Sequence, residues 1–257
     1  MYSAFSLEGY VSVITGAAGG IGRALALAFA QAGSHVALVD VNMAGAEDTA
    51  AMLRGQQVQA SAFRCDIADP GQVRDLAAAI VGAYGKVDVL LNNASIFQDC
   101  PAETMDFAAE WRRVMAVNLD GTFLMCQAFG QLMITQGGGN IINMASKSGL
   151  MVDYPNKQAA YNTSKAAVIM LTKSLAVEWA PYNVRVNCIC PGNIVANPQN
   201  PKLQPGHPYR EAWLRSTPMG HFGLPAELGG VAIYLASLAS SFTTGAVEVV
   251  DGGFTII

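Results

Sequence analysis

The chain has 257 residues, 52% hydrophobic and only 13% charged, which is enough apolar material for one large core, and we expect a single domain over residues 1–257. Its net charge of −4 comes without a block of Lys or Arg, so the composition argues against partners such as nucleic acid or an anionic membrane and favours a small molecule. Residues 1–8 lack the features of a signal peptide and no later apolar run is long enough to span a bilayer, so we expect a cytoplasmic protein.

Cysteine and histidine are few and scattered. The five cysteines have neither the paired spacing of a zinc site nor that of a disulfide framework, so we expect reduced, mostly buried thiols. The three histidines also lie far apart in the sequence. We therefore predict no metal site.

Short apolar runs rich in strand-forming residues alternate with amphipathic segments along the chain. The runs are residues 10–15, 35–40, 58–64, 87–92, 140–145, 184–190 and 246–250. The intervening segments, such as 21–32 and 70–84, have helical periodicity. This pattern predicts the α/β class, with a Rossmann-type doubly wound parallel sheet, helices on both faces and ligands at the carboxyl ends of the strands.

A glycine-rich turn separates the first strand from the first helix. Residues 15–22 read TGAAGGIG, in which Gly16, Gly20, Ile21 and Gly22 are the candidate cofactor contacts. Glycines permit a tight turn and close approach of a pyrophosphate, and the following helix start offers free N–H groups. The spacing of these glycines differs from the common dinucleotide fingerprint. The interpretation as a cofactor-binding turn therefore rests on the position of the turn between a strand and a helix.

Polar residues stand at the ends of the next three strands. A carboxylate at Asp40 can accept hydrogen bonds from the adenosine ribose and would repel a 2′-phosphate, which favours NAD over NADP, although Asp40 could merely cap the next turn. Asp66, followed by Ile67, could bind the adenine, and Asn93-Ala94 leaves backbone room beside the cofactor. Taken singly, each of these is an ordinary turn.

Four residues in the second half of the chain form a candidate catalytic set. Tyr161 and Lys165 are four residues apart on one face of a helix that extends to about residue 180, and a nearby ammonium stabilises a phenolate and lowers the tyrosine pKa. Ser146 follows a strand and can donate to the reacting oxygen, while Asn118 could hold a water that links Lys165 to solvent.

The stretch from residue 191 to 224 interrupts the alternation of strands and helices. It carries six prolines with several Asn and Gly residues, and it is unusually long for a loop. We expect a substrate lid there, with a short helix at 209–215.

Together these motifs resemble those of the classical short-chain dehydrogenases and reductases. The resemblance extends over essentially the whole chain and rests on Thr15 to Gly22, Asp66, Asn92 to Ala94, Asn118, Ser146, Tyr161, Lys165, Pro191, Gly192 and Val250 to Gly253. It implies a seven-stranded Rossmann sheet, a homotetramer, and a catalytic tetrad of Asn118, Ser146, Tyr161 and Lys165 in which Tyr161 is the acid/base. It also implies cofactor contacts from Tyr161, Lys165, Pro191, Gly192 and Ile194.

The segments 143–150 and 158–165 are similar to those of the polyol and ketose members, such as galactitol, arabinitol and xylulose-type reductases. The interval from Ser146 to Tyr161 is longer than in many members, which implies that Ser148 and Asp153 lie near the substrate. Lys147 is an uncommon charge at its position. We expect it to point to solvent, with an acidic group on the substrate as the alternative.

Two further positions depart from the family pattern. Ser95 replaces a common glycine, and Ala196 replaces a threonine that usually contacts the cofactor carboxamide, so that contact is expected from Ile194.

We therefore expect an NAD-dependent polyol dehydrogenase or ketose reductase. The alternatives are the same chemistry on a 3-oxoacyl thioester, a hydroxysteroid or a cyclic alcohol, and a non-catalytic NAD-binding regulator.

Overall fold

The computed structural model of the protein describes residues 3–56 and 58–257. Met1 and Tyr2, which belong to the segment predicted not to be a signal peptide, lie outside the described residues. No helix in the described ranges is both long and apolar enough to cross a membrane.

Within the described residues, seven strands form one parallel sheet in the order β3-β2-β1-β4-β5-β6-β7. Their bounds are Val11–Thr15 (β1), His35–Asp40 (β2), Ala60–Arg64 (β3), Val89–Asn92 (β4), Gly139–Met144 (β5), Val184–Pro191 (β6) and Val247–Val250 (β7). The predicted runs match these strands with shifts of one or two residues at some ends, and the predicted fold class is confirmed.

Eight α-helices of the described residues connect and cover the strands. They are Gly20–Gln31 (α1), Met43–Arg54 (α2), Pro70–Tyr84 (α3), Arg113–Met115 (α4), Thr122–Gln136 (α5), Ala159–Trp179 (α6), Pro208–Arg215 (α7) and Gly229–Ala236 (α8). The short α4 lies between two stretches of π-helix, Phe107–Arg112 and Ala116–Gly121. Such wide turns are frequent at functional sites.

The core consists of two apolar layers on opposite faces of the sheet. In β1, Ile14 packs in the layer with α1 and α8, whereas its neighbour Val13 packs in the layer with α3, α5 and α6. Strands buried on both faces carry apolar residues at successive positions, which is why they were recognisable as continuous runs.

The order of the strands reverses direction between β1 and β4. In open parallel sheets such a reversal leaves a crevice at the carboxyl ends of the strands, because the connections on either side lead to opposite faces. The predicted cofactor and catalytic residues follow the carboxyl ends of β1, β2, β3, β4 and β5, so they belong to this edge.

Candidate active site

The glycine-rich turn after β1 is shaped by close backbone contacts. Gly16 has a φ of +67°, a left-handed conformation that disfavours residues with a side chain. A Cβ atom on Gly22 would lie 2.1 Å from the Gly16 carbonyl oxygen, so only glycine fits there. The Nδ2 of Asn93 donates to the carbonyl oxygens of Thr15 at 3.0 Å and Gly16 at 3.2 Å. The side chain of Asn93, predicted as a cofactor contact, is thus used to hold the turn.

A groove of about 390 Å³ extends from this turn along the carboxyl ends of β2 and β3. The predicted residues that line it are Gly16, Asp40, Asp66, Ile67 and Ala94. Helix α1 begins at Gly20, and its N-cap Gly19 has no side chain to cap it, so the first N–H groups are open to an anion. The groove and the open start of α1 both adjoin the glycine-rich turn, so these residues could hold a dinucleotide.

Asp40 has both of the roles considered for it. Its Oδ1 accepts from the Asn42 backbone N–H at 2.9 Å and caps the turn before α2, while its Oδ2 accepts from the Ala18 N–H at 3.0 Å. The carboxylate also lines the groove and places a negative charge at the carboxyl end of β2.

Three of the four predicted catalytic side chains lie together beside β5. Tyr161 lies in the first turn of α6, near enough to Ser146, which follows β5, for that side chain to lower the tyrosine pKa. One turn further along α6, the Nζ of Lys165 lies 5.6 Å from the centre of the Tyr161 ring and donates to the Met144 carbonyl oxygen at 2.8 Å. The spacing of four residues thus placed both side chains on one face.

Burial controls the ionisation of this cluster. It raises the pKa of Tyr161 to about 12, against the hydrogen bond from Ser146, which lowers it. It also lowers the pKa of Lys165 to about 8. The sequence predicts a lowered tyrosine pKa next to Lys165. In the protein by itself this prediction is wrong, because desolvation of the phenolate outweighs its stabilising contacts.

Asn118 lies in the second π-helical stretch and is fully buried. Its side chain is paired with Ile96, since Oδ1 accepts from the Ile96 N–H at 2.8 Å and Nδ2 donates to the Ile96 carbonyl at 2.9 Å. Nδ2 also lies 3.1 Å from the Ser164 hydroxyl, which donates to the Tyr161 carbonyl. Asn118 therefore joins the segment after β4 to the start of α6. Both polar atoms of its side chain already have protein partners, whereas the sequence predicts that Asn118 holds a water linking Lys165 to solvent.

Comparison with known proteins places this geometry in a family. Residues 16–255 match the sequence family described as enoyl-(acyl carrier protein) reductase. A D-threitol dehydrogenase from Mycolicibacterium smegmatis is 41% identical over 252 residues, which cover 98% of this chain and 95% of that protein. The chain belongs to the short-chain dehydrogenase/reductase family.

Two more members extend the comparison. The galactitol 2-dehydrogenase (L-tagatose-forming) from Cereibacter sphaeroides is 42% identical over 253 residues, or 98% of this chain and 97% of that protein. The crystal structure of a gluconate 5-dehydrogenase from Burkholderia cenocepacia J2315 with NADP and tartrate has a TM-score of 0.93 at 35% identity, covering 99% of this chain and 98% of that one. This short-chain dehydrogenase/reductase is therefore an oxidoreductase with a nicotinamide cofactor.

A second cavity, of about 200 Å³, opens beside Tyr161 and is the candidate substrate cavity of this short-chain dehydrogenase/reductase. Its lining includes the four residues predicted for substrate, Ser146, Ser148, Asp153 and Tyr161, and the predicted cofactor residues Gly192 and Ile194. The remaining lining residues are Phe97, Lys147, Asn156, Gln158, Asn193, Asn200, Leu203 and Trp213. The predicted substrate residues are thus brought together at one wall.

Lys147 does not point to solvent, so that expectation is wrong. Only 2% of its side chain is exposed, and its Nζ lies 2.8 Å from Asp153 Oδ1 and 3.3 Å from the centre of the Phe254 ring. Burial lowers the pKa of Lys147 and raises that of Asp153, while the contact between the two charges opposes both shifts. The 147–149 turn folds the lysine inward, where a carboxylate neutralises it.

Several side chains of the site were missed by sequence reasoning. Thr15 accepts from the Asn93 and Ala94 N–H groups through its hydroxyl, both at 3.0 Å. Gln158 is buried and donates to the Ser148 hydroxyl at 3.1 Å. Trp213 enters the cavity from α7. For Trp213, the sequence offered one signal, namely an aromatic residue within the proline-rich 191–224 segment that is predicted to be the lid.

This segment is joined to the rest of the site by an ion pair. Lys202 pairs with Asp99, which lies in the connection after β4, and its Nζ lies 4.6 Å from the centre of the Tyr209 ring. Asp99 also accepts from the Lys157 N–H at 2.9 Å. One carboxylate thus links the 191–224 segment to the loop before α6.

Among the described residues, the cysteines belong neither to a disulfide nor to a metal-binding cluster. Among the described residues the cysteines are free, and Cys65, Cys126, Cys188 and Cys190 are buried, as expected. Within residues 3–56 and 58–257, no three His, Cys, Asp or Glu residues are grouped so that they could hold a metal ion.

Proposed function

We propose that the protein is an NAD-dependent polyol dehydrogenase or ketose reductase, which interconverts a secondary hydroxyl and a ketone on a small, neutral, polyhydroxylated substrate. The observation that carries this proposal is the substrate cavity. Beside Tyr161 it combines the Phe97 ring, 5.3 Å from that of Tyr161 between ring centres, with hydroxyl and amide side chains, and the charged residues that line it, Lys147 and Asp153, neutralise each other. Two of its relatives are named for threitol and galactitol, which are substrates of this kind.

The catalytic roles follow from the contacts of each side chain. Tyr161 exchanges the proton of the reacting hydroxyl, and Ser146 orients that oxygen by a hydrogen bond as its charge changes. Lys165 holds the nicotinamide ribose from its buried position near Met144. Asn118 positions the start of α6 through Ser164. When bound, the oxidised cofactor supplies the hydride acceptor and a positive charge that favours the Tyr161 phenolate.

The choice of NAD rests on Asp40. Its carboxylate lines the groove at the end of β2 and is held by two backbone N–H groups, so it cannot easily move away. A 2′-phosphate at the ribose would lie against this negative charge, whereas a free hydroxyl can donate to it.

Three other functions are less well supported. A steroid or an acyl thioester needs a larger apolar pocket than this cavity of about 200 Å³, whose large apolar residues are Phe97, Ile194, Leu203 and Trp213. An acidic sugar would need a free cation, but Lys147 is already paired. A regulator without turnover would not need Ser146 and Tyr161 in one cavity.

Two larger features complete the proposal. The 191–224 segment acts as a lid, since it contributes Asn193, Leu203 and Trp213 to the cavity and is fixed to Asp99 through Lys202. The protein forms a homotetramer, which the exposed apolar residues Met170 and Val177 of α6 support.

A turnover assay tests the proposal. The absorbance of the reduced cofactor is followed with a panel of polyols and ketoses, apolar secondary alcohols, a hydroxysteroid and a 3-oxoacyl thioester, each with NAD and with NADP. We expect turnover of polyols with NAD, and a loss of at least about 100-fold in kcat for Tyr161→Phe because the proton carrier is removed. Asp40→Ser is expected to improve kcat/KM with NADP.

Tyr182→Phe is the matched control, because Tyr182 is half exposed and follows the far end of α6. It should leave turnover unchanged. Undiminished activity of Tyr161→Phe, or turnover of steroids or thioesters in preference to polyols, would overturn the proposal. Binding of NAD measured by calorimetry without turnover of any alcohol or ketone would favour a regulator.

A further inference from the structure

The substrate cavity is lined by side chains with polar atoms that have no hydrogen-bond partner among the described residues. Trp213 is 93% buried, since only 7% of its surface is exposed, yet its indole Nε1 has no hydrogen-bond partner among the described residues. The Nδ2 of Asn193 and the Oδ1 of Asn156 are buried and unpartnered as well. All three side chains line the same cavity as Tyr161.

Leaving buried polar groups unpaired is unfavourable, so a cluster of them in a cavity points to a ligand that pairs with them. Two of these atoms are donors, Trp213 Nε1 and Asn193 Nδ2, and the third, Asn156 Oδ1, is an acceptor. A hydroxyl group both accepts and donates a hydrogen bond. Adjacent hydroxyls of a polyol therefore match this set, whereas an ether, an alkyl chain or a carboxylate would leave part of it unpaired.

The surroundings hold these groups in place. The Trp213 ring makes edge-on contacts with Tyr209, at 5.7 Å between ring centres, and with Phe222, at 6.3 Å. The Nδ2 of Asn156 donates to the side-chain Oε1 of Gln158 at 2.8 Å, which fixes the Asn156 amide so that its oxygen is the atom left free. The unpaired atoms are thus presented on side chains that are already ordered.

We propose that Trp213, Asn193 and Asn156 form a second hydroxyl-binding subsite, which recognises hydroxyls of the substrate away from the carbon that is oxidised. This inference rests on the proposed function, because it takes Tyr161 as the place of reaction. It makes the lid helix α7 a determinant of specificity, through the indole N–H of Trp213. The subsite selects a polyhydroxylated chain over a simple alcohol of the same reacting group.

The test compares two substrates in two variants. Wild type and Trp213→Phe, which keeps an aromatic ring and removes the N–H, are assayed with the best polyol of the panel and with a vicinal diol, butane-2,3-diol, that has no further hydroxyl. We expect kcat/KM for the polyol to fall about 10-fold, chiefly through KM, which corresponds to the loss of one good hydrogen bond, and kcat/KM for the diol to stay within about 2-fold. Asn193→Ala should give the same selective loss.

Trp179→Phe is the matched control, since Trp179 ends α6 about 27 Å along the helix from Tyr161. This variant should leave kcat/KM unchanged for both substrates. The inference is overturned by an equal loss on polyol and diol in Trp213→Phe, which would show a structural role, or by no loss on the polyol in either subsite variant. If wild type oxidises the diol but no polyol, the hydride-transfer activity is supported and the hydroxyl-binding subsite is contradicted. If it oxidises neither substrate, the proposed function itself is contradicted.

Discussion

Lys147 and Asp153 lie 2.8 Å apart with almost no exposed side-chain surface, so two charges have been removed from water beside the reacting hydroxyl. Their mutual attraction repays this cost only while both are present, because breaking a buried pair leaves one charge uncompensated. The negative charge also acts on its neighbour, since Asp153 contributes to the raised pKa of Tyr161. The pair is thus tied to catalysis as well as to stability.

Asp153→Asn is predicted to move the pH dependence of alcohol oxidation to lower pH. Oxidation needs the Tyr161 phenolate, so its rate rises with pH through the tyrosine pKa, and removing a nearby negative charge lowers that pKa. The measurement is kcat for oxidation against pH. The same variant should lose about 3–5 kcal/mol in the free energy of unfolding, measured in urea, because Lys147 stays buried without its partner.

Asp75→Asn serves as the control, because Asp75 is exposed on α3. It should change neither the pH profile nor the stability. A pH profile of Asp153→Asn that coincides with that of wild type would show that Asp153 does not act on Tyr161.

How much of the site follows from sequence depends on whether a contact is local. Tyr161 and Lys165 share a helix face by their spacing, and Asp40 ends a strand that reads as a continuous apolar run, so their places were predictable. The inward turn of Lys147 was not predictable. It depends on Asp153 and on Phe254, which lies near the C-terminus, and only folding brings these residues into contact with Lys147.

At the scale of elements, the regular alternation of strands and helices was predictable because each buried strand is an apolar run and each helix has an apolar face. The 191–224 segment has no such period. The short helix expected at 209–215 is present as α7, but its orientation depends on Lys202 and Phe222, which contact its residues Tyr209 and Trp213. For this reason Trp213 could not be assigned to the cavity from the sequence.

The ion pair between Lys202 and Asp99 leads to a prediction about the lid. Lys202→Met removes the contact that joins the lid to the connection after β4, so the lid should open more often. A partly exposed pair contributes at most about 1 kcal/mol, so KM for the polyol should rise by no more than about 5-fold while kcat changes little. Trypsin should also cleave faster after Arg210 and Arg215, which lie on α7.

Lys86→Met is the matched control. It breaks a comparable ion pair, with Asp88 at 3.0 Å, at the amino end of β4 and thus far from the lid. If Lys202→Met shows the KM and the tryptic cleavage rate of Lys86→Met, the ion pair does not hold the lid.

At the scale of the whole molecule, the exposed surface of α6 carries several apolar residues. Met170 is 62% and Val177 is 78% exposed, and the spacing of seven residues places them on the same face of the helix as the exposed Ala166, with the exposed Lys173 and Ser174 between them. Exposed apolar residues grouped on a surface helix are typical of contacts between subunits. The low charge of the chain, 13% of its residues, leaves few groups to keep copies apart.

We therefore predict a homotetramer in which α6 packs against a second copy of itself. Light scattering with size exclusion should give about four times the 27.0 kDa mass of the chain, and Val177→Glu should reduce the mass to that of a dimer, because a buried glutamate would face its own copy across the symmetric contact. Met52→Glu is the control, since Met52 is similarly exposed at 52% but lies on α2. A monomeric wild type, or an equal loss of mass in both variants, would show that α6 is not the contact.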